Sequence, residues 1–218
     1  MRLRNITGSR ELIAKSRYVV TEPELYKGKW NSYFQNENPV FIEIGMGKGQ
    51  FITEMARTNP GANYIGIEMY SSVLYRAVKK LERTNLDLNN LVLLRLDAHD
   101  LTTVFEKDEI SRIYLNFSDP WPKDRHAHRR LTSRKFLQLY EKVLVDDGVI
   151  EFKTDNENLF RFTLDEIEAS GWKTNNVSYD LHNDGIMIVG NIQTEYEEKF
   201  SAQGNPIYKC VMSRKEVE

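Results

Sequence analysis

The residues best suited to chemistry in this sequence lie between positions 113 and 130. Apolar residues alternate through the first part, as in a β-strand with a buried face, until Asp119-Pro120-Trp121-Pro122. Because proline fixes φ, the two prolines would hold the Asp119 carboxylate in one position. The second part is basic and contains Lys123, Arg125, His126, His128, Arg129 and Arg130. A fixed carboxylate beside a basic loop indicates a reaction site next to a phosphate-binding surface.

A second set of residues suited to ligand binding is the glycine-rich stretch 45–49. Gly45, Gly47 and Gly49 lack a Cβ, so the backbone there can turn sharply and approach a ligand closely. Their spacing differs from the G-x-G-x-x-G of dinucleotide-binding loops, which disfavours a nicotinamide-dependent oxidoreductase. With Glu43 just upstream, the pattern E-x-G-x-G-x-G resembles the cofactor loop of S-adenosylmethionine-dependent methyltransferases. The sulfonium and amino group of that cofactor suit an acidic surrounding.

Acidic residues also stand at the ends of the other predicted strands, at Glu68, Asp97, Asp119 and Asp155. The carboxyl ends of parallel strands share one edge of a sheet, and ligands bind there where the strand order reverses. Glu68 could accept hydrogen bonds from both ribose hydroxyls, and Asp97 from an adenine amino group, with Ala98 leaving room for the ring. Each acid alone would more often be a helix cap or a surface residue. Together they favour a nucleoside pocket.

Five short apolar segments must position these residues, and each is typical of a buried strand. They span 40–44, 63–68, 91–96, 113–117 and 149–153, with helical patterns at 50–57, 71–84, from 132 or 133 to the break at 146–148, and at 158–170. Two β-type runs at 172–179 and 207–212 flank a polar loop and a short helix near 195–200. The alternation predicts an α/β fold with a doubly wound, mostly parallel seven-stranded sheet. The last two strands indicate an antiparallel hairpin at its edge.

Composition limits the class of protein. With 218 residues, of which 40% are hydrophobic, the chain can bury one full core. Its longest apolar runs are far shorter than the about 20 residues of a membrane span, and its first residues lack a signal-type segment. The single cysteine, Cys210, cannot form an internal disulfide. We therefore expect a cytoplasmic protein without membrane association.

The charge distribution indicates local sites for a polyanion, although the net charge is −2. Residues 1–17 contain five basic residues and one acid, and residues 123–135 contain six basic residues and one acid, Asp124. Either cluster could instead be a solvated charged surface. We expect residues 1–30 to form a basic, partly mobile arm and residues 31–218 to form a single methyltransferase-type domain.

Several motifs of this chain occur together in one known family. They are Asn116-Phe117-Ser118-Asp119-Pro120-Trp121-Pro122-Lys123, then Arg125-His126 and Arg129-Arg130-Leu131, with Glu43 to Gly49, Tyr64 to Glu68, and Thr194-Glu195-Tyr196-Glu197. In this combination the chain, from Gly8 nearly to its end, resembles the bacterial tRNA (guanine-N7)-methyltransferase family. Thr194 and Glu197 also have the spacing of a helix N-cap and its N3 partner, which is compatible with substrate contact.

The resemblance implies a Rossmann-like class I methyltransferase, with S-adenosyl-L-methionine as cofactor and tRNA as partner. It implies cofactor contacts at Glu43, Gly45, Gly47, Gly49, Glu68, Asp97, Ala98 and Asp119, and it makes Asp119 the catalytic residue. Substrate contacts would lie at Lys123, Arg125, His126, Arg129, Arg130, Asp155, Thr194, Tyr196 and Glu197. Asp124 and His128 depart from the family pattern, and Asp124 would weaken phosphate attraction locally.

The implied reaction agrees with these residue types. Guanine N7 keeps a free lone pair at neutral pH, so its methylation requires no general base. Transfer needs in-line placement, and proximity can supply ~7–11 kcal/mol. A carboxylate at Asp119 or Asp155 could stabilise the cationic product and accept hydrogen bonds from the guanine N1 and amino edge.

Other interpretations stay open. The Asp119 to Pro122 motif is also similar to that of amino-group methyltransferases, which would move the target to an exocyclic amino group. In another interpretation the chain has kept the fold but lost the activity, and it acts as an RNA-binding module. Trp121 could stack on a base or form a pocket wall. His126, His128 and Asp124 lack metal-ligand spacing, so we expect no metal site, and both monomer and homodimer fit the sequence.

Overall fold

The strands of the protein form one mixed sheet in a computed structural model that describes residues 6–84 and 86–215. They are β1 Val40–Ile44, β2 Asn63–Ile67, β3 Leu91–Leu94, β4 Ile110–Asn116, β5 Leu144–Thr154, β6 Trp172–Ser178 and β7 Tyr208–Arg214. Their order in the sheet is β3-β2-β1-β4-β5-β7-β6. Strands β1 to β5 run parallel, whereas β7 is antiparallel to both β5 and β6.

The predicted seven-stranded sheet with an antiparallel edge is therefore confirmed. The two last strands pair with each other, but residues 179–207 join them, so the connection is a long excursion and not a tight turn. Strand β7 lies between β5 and β6, which leaves β6 at the edge.

Helices cover both faces of this sheet. They are α1 Ser9–Ile13, α2 Trp30–Phe34, α3 Gln50–Thr58, α4 Ser71–Arg83, α5 Leu101–Val104, α6 Arg134–Tyr140, α7 Glu157–Glu168 and α8 Glu195–Ser201. One buried apolar cluster contains residues of α1, α3 and α4, and another contains residues of α2, α5, α6 and α7. Alternate residues of β3 belong to different clusters, so the clusters lie on opposite faces. Within the described ranges, no helix is long and apolar enough to cross a membrane.

The described part of the predicted N-terminal arm packs against the domain. Its helix α1 lies on α4, where the Ile6 amide donates to Ser72 Oγ at 2.9 Å. The Val20 amide donates to the Leu93 carbonyl at 3.2 Å, and the Leu93 amide donates to the Tyr18 carbonyl at 2.7 Å, which joins this segment to β3. Arg2 and Arg4 lie outside the described residues, and movement of the arm on RNA stays a prediction.

Candidate active site

The carboxyl ends of the parallel strands bring the predicted acids to one edge of the sheet. Glu43 lies one residue before the end of β1, Glu68 directly follows β2, and Asp155 directly follows β5. Asp97 and Asp119 each lie three residues beyond the ends of β3 and β4. Strands β1 and β4 are neighbours, although the chain passes from β1 to β2 on the other side. This reversal of strand order opens a crevice of the kind in which ligands bind.

The glycine-rich loop between β1 and α3 has an open, left-handed backbone. Gly45, Gly47 and Gly49 have φ values of 77°, 58° and 73°, which favour glycine. A Cβ at Gly45 or Gly47 would meet no atom of the described residues within 4 Å, so this side of the loop faces open space. The Gly45 and Met46 amides donate to the Ile67 carbonyl at 2.9 and 3.1 Å, which ties the loop to β2. A ligand can therefore approach the backbone of this loop closely.

The Glu68 carboxylate supports the glycine loop from the end of β2. Its Oε2 accepts a hydrogen bond from the Gly47 amide at 3.2 Å, and its Oε1 accepts one from the Tyr70 amide at 2.9 Å. Burial raises the pKa of Glu68 against the lowering effect of these amides, and the charge of Asp119 adds to the rise. Carboxylate oxygens have further lone pairs, so Glu68 can hold the loop and still accept from ligand hydroxyls.

Glu43 is buried in the site and has one carboxylate oxygen without a partner among the described residues. Its Oε1 accepts a hydrogen bond from Asn116 Nδ2 at 2.9 Å, whereas Oε2 is buried and accepts none. Burial raises the pKa of Glu43 to about 7, although the Asn116 hydrogen bond and the charge of Lys153 oppose the rise. Because Oε2 is closed off from solvent, an N–H donor of a ligand can reach it only if neighbouring side chains move.

Asp97 caps the short helix Ala98–Asp100 that follows β3. Its Oδ1 accepts a hydrogen bond from the His99 amide at 2.9 Å and lies 2.8 Å from His99 Nδ1. Partial burial acts to raise the pKa of Asp97, but the contacts with His99 lower it below its usual value. The second oxygen, Oδ2, accepts no hydrogen bond from the described residues. It is available to a ligand, and the adenine contact stays a prediction.

The segment after β4 is held in an unusual backbone conformation. Phe117 and Trp121 have φ values of 52° and 41°, which residues other than glycine rarely adopt. Strained backbone of this kind persists only where surrounding contacts fix it, and it concentrates at active sites. The two strained residues stand on either side of Asp119, so the carboxylate is presented by a fixed turn.

Arg130 supplies the contacts that fix this turn. Its Nε donates to the Pro120 carbonyl and its Nη2 to the Trp121 carbonyl, both at 3.0 Å. Its guanidinium lies 4.2 Å from the ring centroid of Phe162. The Nε and Nη2 of Arg130 thus hold the turn, and its expected contact with RNA stays a prediction.

Asp119 and Asp155 differ from the other acids at this edge. Neither carboxylate accepts a hydrogen bond or forms an ion pair within residues 6–84 and 86–215. Asp119 is exposed and Asp155 is half-buried. Glu68 and Asp97 are held by the protein's own donors, so Asp119 and Asp155 are the acids most available to a substrate.

The basic loop beyond Asp119 presents most of its predicted cations to solvent. It contains the 3₁₀ helix Asp124–Arg129, which has no buried residue. Lys123, Arg125 and Arg129 are exposed, and His126 is half-buried. The half-buried Trp121 ring lies 4.9 Å from the Arg129 guanidinium and 5.8 Å from the His126 ring, so it forms a wall of this loop.

Glu197 lies in a buried polar network behind the crevice. Its Oε2 accepts from Lys153 Nζ at 2.7 Å, and its Oε1 accepts from Asn191 Nδ2 at 2.6 Å and lies 3.2 Å from His182 Nε2. Lys153 Nζ also donates to the Ile192 carbonyl at 2.9 Å. Burial lowers the pKa of Lys153, and the Glu197 charge opposes that shift. Glu197 thus anchors the β6–β7 connection to β5, and its predicted contact with guanine stays a prediction.

Thr194 and Tyr196 of the same motif lie at the start of α8. Thr194 Oγ1 accepts a hydrogen bond from the Glu197 amide at 3.0 Å, as expected of an N-cap. Tyr196 is 55% exposed, and its ring centroid lies 6.1 Å from that of Phe117. This position beside the Asp119 turn is compatible with the predicted substrate contact.

Four residues of the site carry no role in the sequence interpretation. Asn116 and Lys153 bond to Glu43 and Glu197, and Ser118 Oγ is buried without a partner in the described part of the chain. A Cβ at Gly66 would collide with Met46 Sδ beneath the glycine loop. The sequence signal that could have identified these residues is a polar residue at the end of an apolar strand, or a glycine within such a strand. No group of three or more His, Cys, Asp or Glu residues able to hold a metal occurs in the described ranges.

Comparison with known proteins agrees with this geometry. The profile of a family described as "Putative methyltransferase" matches residues 37–210. The chain is 58% identical over 214 residues to a tRNA (guanine-N(7)-)-methyltransferase of Lachnoclostridium phytofermentans, covering 98% of this chain and 99% of that protein. It is 50% identical over 211 residues to the enzyme of that name from Bacillus subtilis, covering 96% and 97%.

Solved structures show the same fold at low sequence identity. An antibiotic-related methyltransferase aligns with a TM-score of 0.66 at 17% identity, covering 86% of this chain and 94% of that one. The 16S rRNA methyltransferase KamB aligns with a TM-score of 0.65 at 12% identity, covering 87% and 94%. The fold is therefore that of the class I methyltransferases. Since its relatives match over nearly their whole length, the chain belongs to the tRNA (guanine-N7)-methyltransferase family.

Proposed function

We propose that the protein transfers a methyl group from S-adenosyl-L-methionine to N7 of a guanine in the variable loop of tRNA, forming 7-methylguanosine. The observation that carries the proposal is the pair of uncommitted carboxylates, Asp119 and Asp155, at the edge that also holds the glycine loop. Such acceptors suit a base whose N1 and exocyclic amino group both donate. The names of the relatives support the choice of tRNA and of N7.

S-Adenosylmethionine fits the residues on the glycine-loop side of the crevice. Glu43 Oε2 would accept from its amino group, Glu68 from its ribose hydroxyls and Asp97 Oδ2 from its adenine amino group. The left-handed backbone at Gly45 and Gly47 leaves open space for it. When bound, this cofactor supplies a methyl group activated by a sulfonium.

The protein's own residues would act on the base by placement and charge. Asp119 and Asp155 would accept hydrogen bonds from the guanine N1 and amino groups, which orients N7 toward the methyl donor. N7 needs no deprotonation, so the main contribution is in-line placement, which can supply ~7–11 kcal/mol. The product ring is cationic, and a carboxylate at either position stabilises the charge as it develops.

The exposed cations of the basic loop would hold the tRNA backbone. Lys123, Arg125 and Arg129 are exposed on the 123–130 segment beside Asp119. Phosphate contacts of this kind position a nucleic acid and make its binding salt-dependent. We place the enzyme in the cytoplasm with its tRNA substrate.

The test uses purified protein, labelled S-adenosylmethionine and an unmodified tRNA transcript, followed by chain cleavage specific for 7-methylguanosine. A single cleavage in the variable loop supports substrate, reaction and site together. Label in the RNA without that cleavage would indicate that another atom is methylated, such as the nitrogen of an exocyclic amino group. Cofactor binding without any label would indicate a non-catalytic RNA-binding relative.

A further inference from the structure

Helix α4 carries a stripe of basic residues on one side. Arg76, Lys79, Lys80 and Arg83 have the spacing i, i+3, i+4 and i+7, which places their side chains on the same helix face. The buried side is formed by Ser72, Leu74, Ala77, Val78 and Leu81. With Glu82 as the one acid of the helix against four basic residues, α4 has a net charge of +3.

The basic stripe lines an open groove together with a residue of the glycine loop. The groove has a volume of about 750 Å³ and includes Lys48 as well as the four basic residues of α4. Since Lys48 lies between Gly47 and Gly49, one end of the groove adjoins the proposed cofactor site. From Arg76 to Arg83 the helix rises by about 10 Å, which is long enough for successive phosphates of one RNA strand.

Two charges of the stripe are uncommitted. Arg76 and Arg83 form no hydrogen bond or ion pair in the part of the chain that the structure describes. Lys80 Nζ and Lys48 Nζ each lie 2.7 Å from a Glu195 carboxylate oxygen, and Lys79 Nζ lies 3.1 Å from Glu82. These three pairs are more than a third exposed, so they are weak and can exchange for phosphate.

We propose that this α4 groove is a second binding surface for the sugar-phosphate backbone of the RNA substrate, separate from loop 123–130. The inference rests on the proposed function, because it requires an RNA substrate. Charge complementarity identifies the ligand: unpaired guanidinium groups bind phosphate bidentately, and neighbouring cations reinforce them. Of the four cations of α4, only Lys79 pairs with an acid of the same helix, Glu82.

The groove should affect binding of RNA and not the chemical step. Arg76 and Arg83 lie on α4, whereas the proposed reacting end is formed by the segments after β4 and β5. Contacts to phosphate set the register of a nucleic acid on the protein. Their loss should therefore raise the KM for tRNA and leave kcat at saturating tRNA and the Kd of S-adenosylmethionine unchanged.

The test compares Arg76→Gln/Arg83→Gln with wild type over a range of salt concentrations. We expect the KM for tRNA to rise by about tenfold and the slope of log KM against log salt to fall by about 2, close to 1 for each cation. Arg76→Lys/Arg83→Lys keeps both charges and should recover most of the affinity.

The matched control removes two exposed lysines at the opposite edge of the sheet. Lys107 lies three residues before β4, and Lys142 lies just before β5. Lys107→Gln/Lys142→Gln should leave the KM and its salt slope as in wild type. An unchanged KM and slope in Arg76→Gln/Arg83→Gln, or an equal change in the control, would overturn the proposal that the α4 groove binds RNA. If wild type labels no tRNA, the proposed function itself fails.

Discussion

Asp119 combines an uncommitted carboxylate with a backbone that cannot move freely. The strained residues Phe117 and Trp121 lie on either side of it, and Arg130 holds the turn through two carbonyls. We expect Asp119→Ala to lower kcat by on the order of 10²-fold or more, because a charge aligned with the developing cation is lost. Since the side chain is exposed and forms no hydrogen bond or ion pair with the described residues, tRNA binding and Tm should change little.

The measurement is single-turnover methylation together with filter binding of tRNA. Asp155→Ala, made in parallel, shows which of the two acids contributes more. Wild-type turnover in Asp119→Ala would remove the residue from the catalytic position.

Glu43 illustrates a group whose charge is useful for binding and costly for folding. Its pKa is raised to about 7 by burial, from an ordinary value near 4.5. Between these values the folded state keeps a proton that the unfolded state has lost, so the free energy of unfolding decreases as pH rises from 4.5 to about 7. At pH 8 the buried carboxylate then costs on the order of 3 kcal/mol.

Glu43→Gln should therefore raise Tm at pH 8 and have little effect on it at pH 4.5. In the same variant, binding of S-adenosylmethionine should weaken, because the neutral amide cannot compensate a cationic amino group. In wild type the cofactor affinity should fall below pH 7 as Glu43 is protonated. Thermal unfolding and titration calorimetry at several pH values check both effects; a variant that is less stable at pH 8 would contradict the assignment.

At the scale of the elements, the buried ion pair between β5 and α8 is a structural anchor. The side chains of Lys153 and Glu197 are 4% and 0% exposed. Removing one partner leaves an uncompensated buried charge, so Lys153→Met should lower the free energy of unfolding by about 3–5 kcal/mol. Lys153→Met/Glu197→Gln should lose less, because no unpaired charge remains.

Urea unfolding measures these differences, with exposed Lys142→Met as the neutral reference. The anchor also holds the connection between β6 and β7 through the Ile192 carbonyl. Proteolysis of this connection should therefore be faster in Lys153→Met than in wild type. Equal stability of Lys153→Met and wild type would show that the pair does not hold the connection.

The strands were predictable because each is an apolar run with clear ends. Strands β4 and β5 begin earlier than expected: β4 at Ile110 instead of 113, and β5 at Leu144 instead of 149, where Asp146-Asp147-Gly148 indicated a break. The structure carries β5 through these residues with an irregular register opposite β4. Helix α2 was not predicted, since five residues are too few to show a helical period; its formation depends on burial of Trp30 and Phe34.

At the scale of the whole molecule, the acids at the strand ends were predictable from one topological rule, since parallel strands end at one edge. The contacts that each acid makes at this edge were not predictable. The pairing of Glu197 with Lys153 joins positions 44 residues apart, and the contact of Asn116 with Glu43 joins positions 73 apart. Contacts at such separations leave no local pattern, which is why the sequence did not indicate that Glu197 pairs with Lys153 or that Asn116 bonds to Glu43.

The whole chain has a net charge of −2, so RNA must be held by local surfaces and not by a general field. The basic loop follows β4 and the α4 groove follows β2, with β1 between these strands. Two strand spacings amount to roughly 9–10 Å, far enough for their contributions to add. We therefore expect Lys123→Gln/Arg125→Gln and Arg76→Gln/Arg83→Gln to raise log KM for tRNA additively when combined.

The salt dependence of the KM for tRNA tests the predicted additivity more strictly. Each double variant should lower the slope of log KM against log salt by about 2, and the combined variant by about 4. The Kd of S-adenosylmethionine should be equal in all of them, which shows that the cofactor side of the crevice is intact. A combined variant no weaker than the loop variant would mean that one tRNA does not contact both surfaces at once, because a surface outside the complex cannot contribute to its salt dependence.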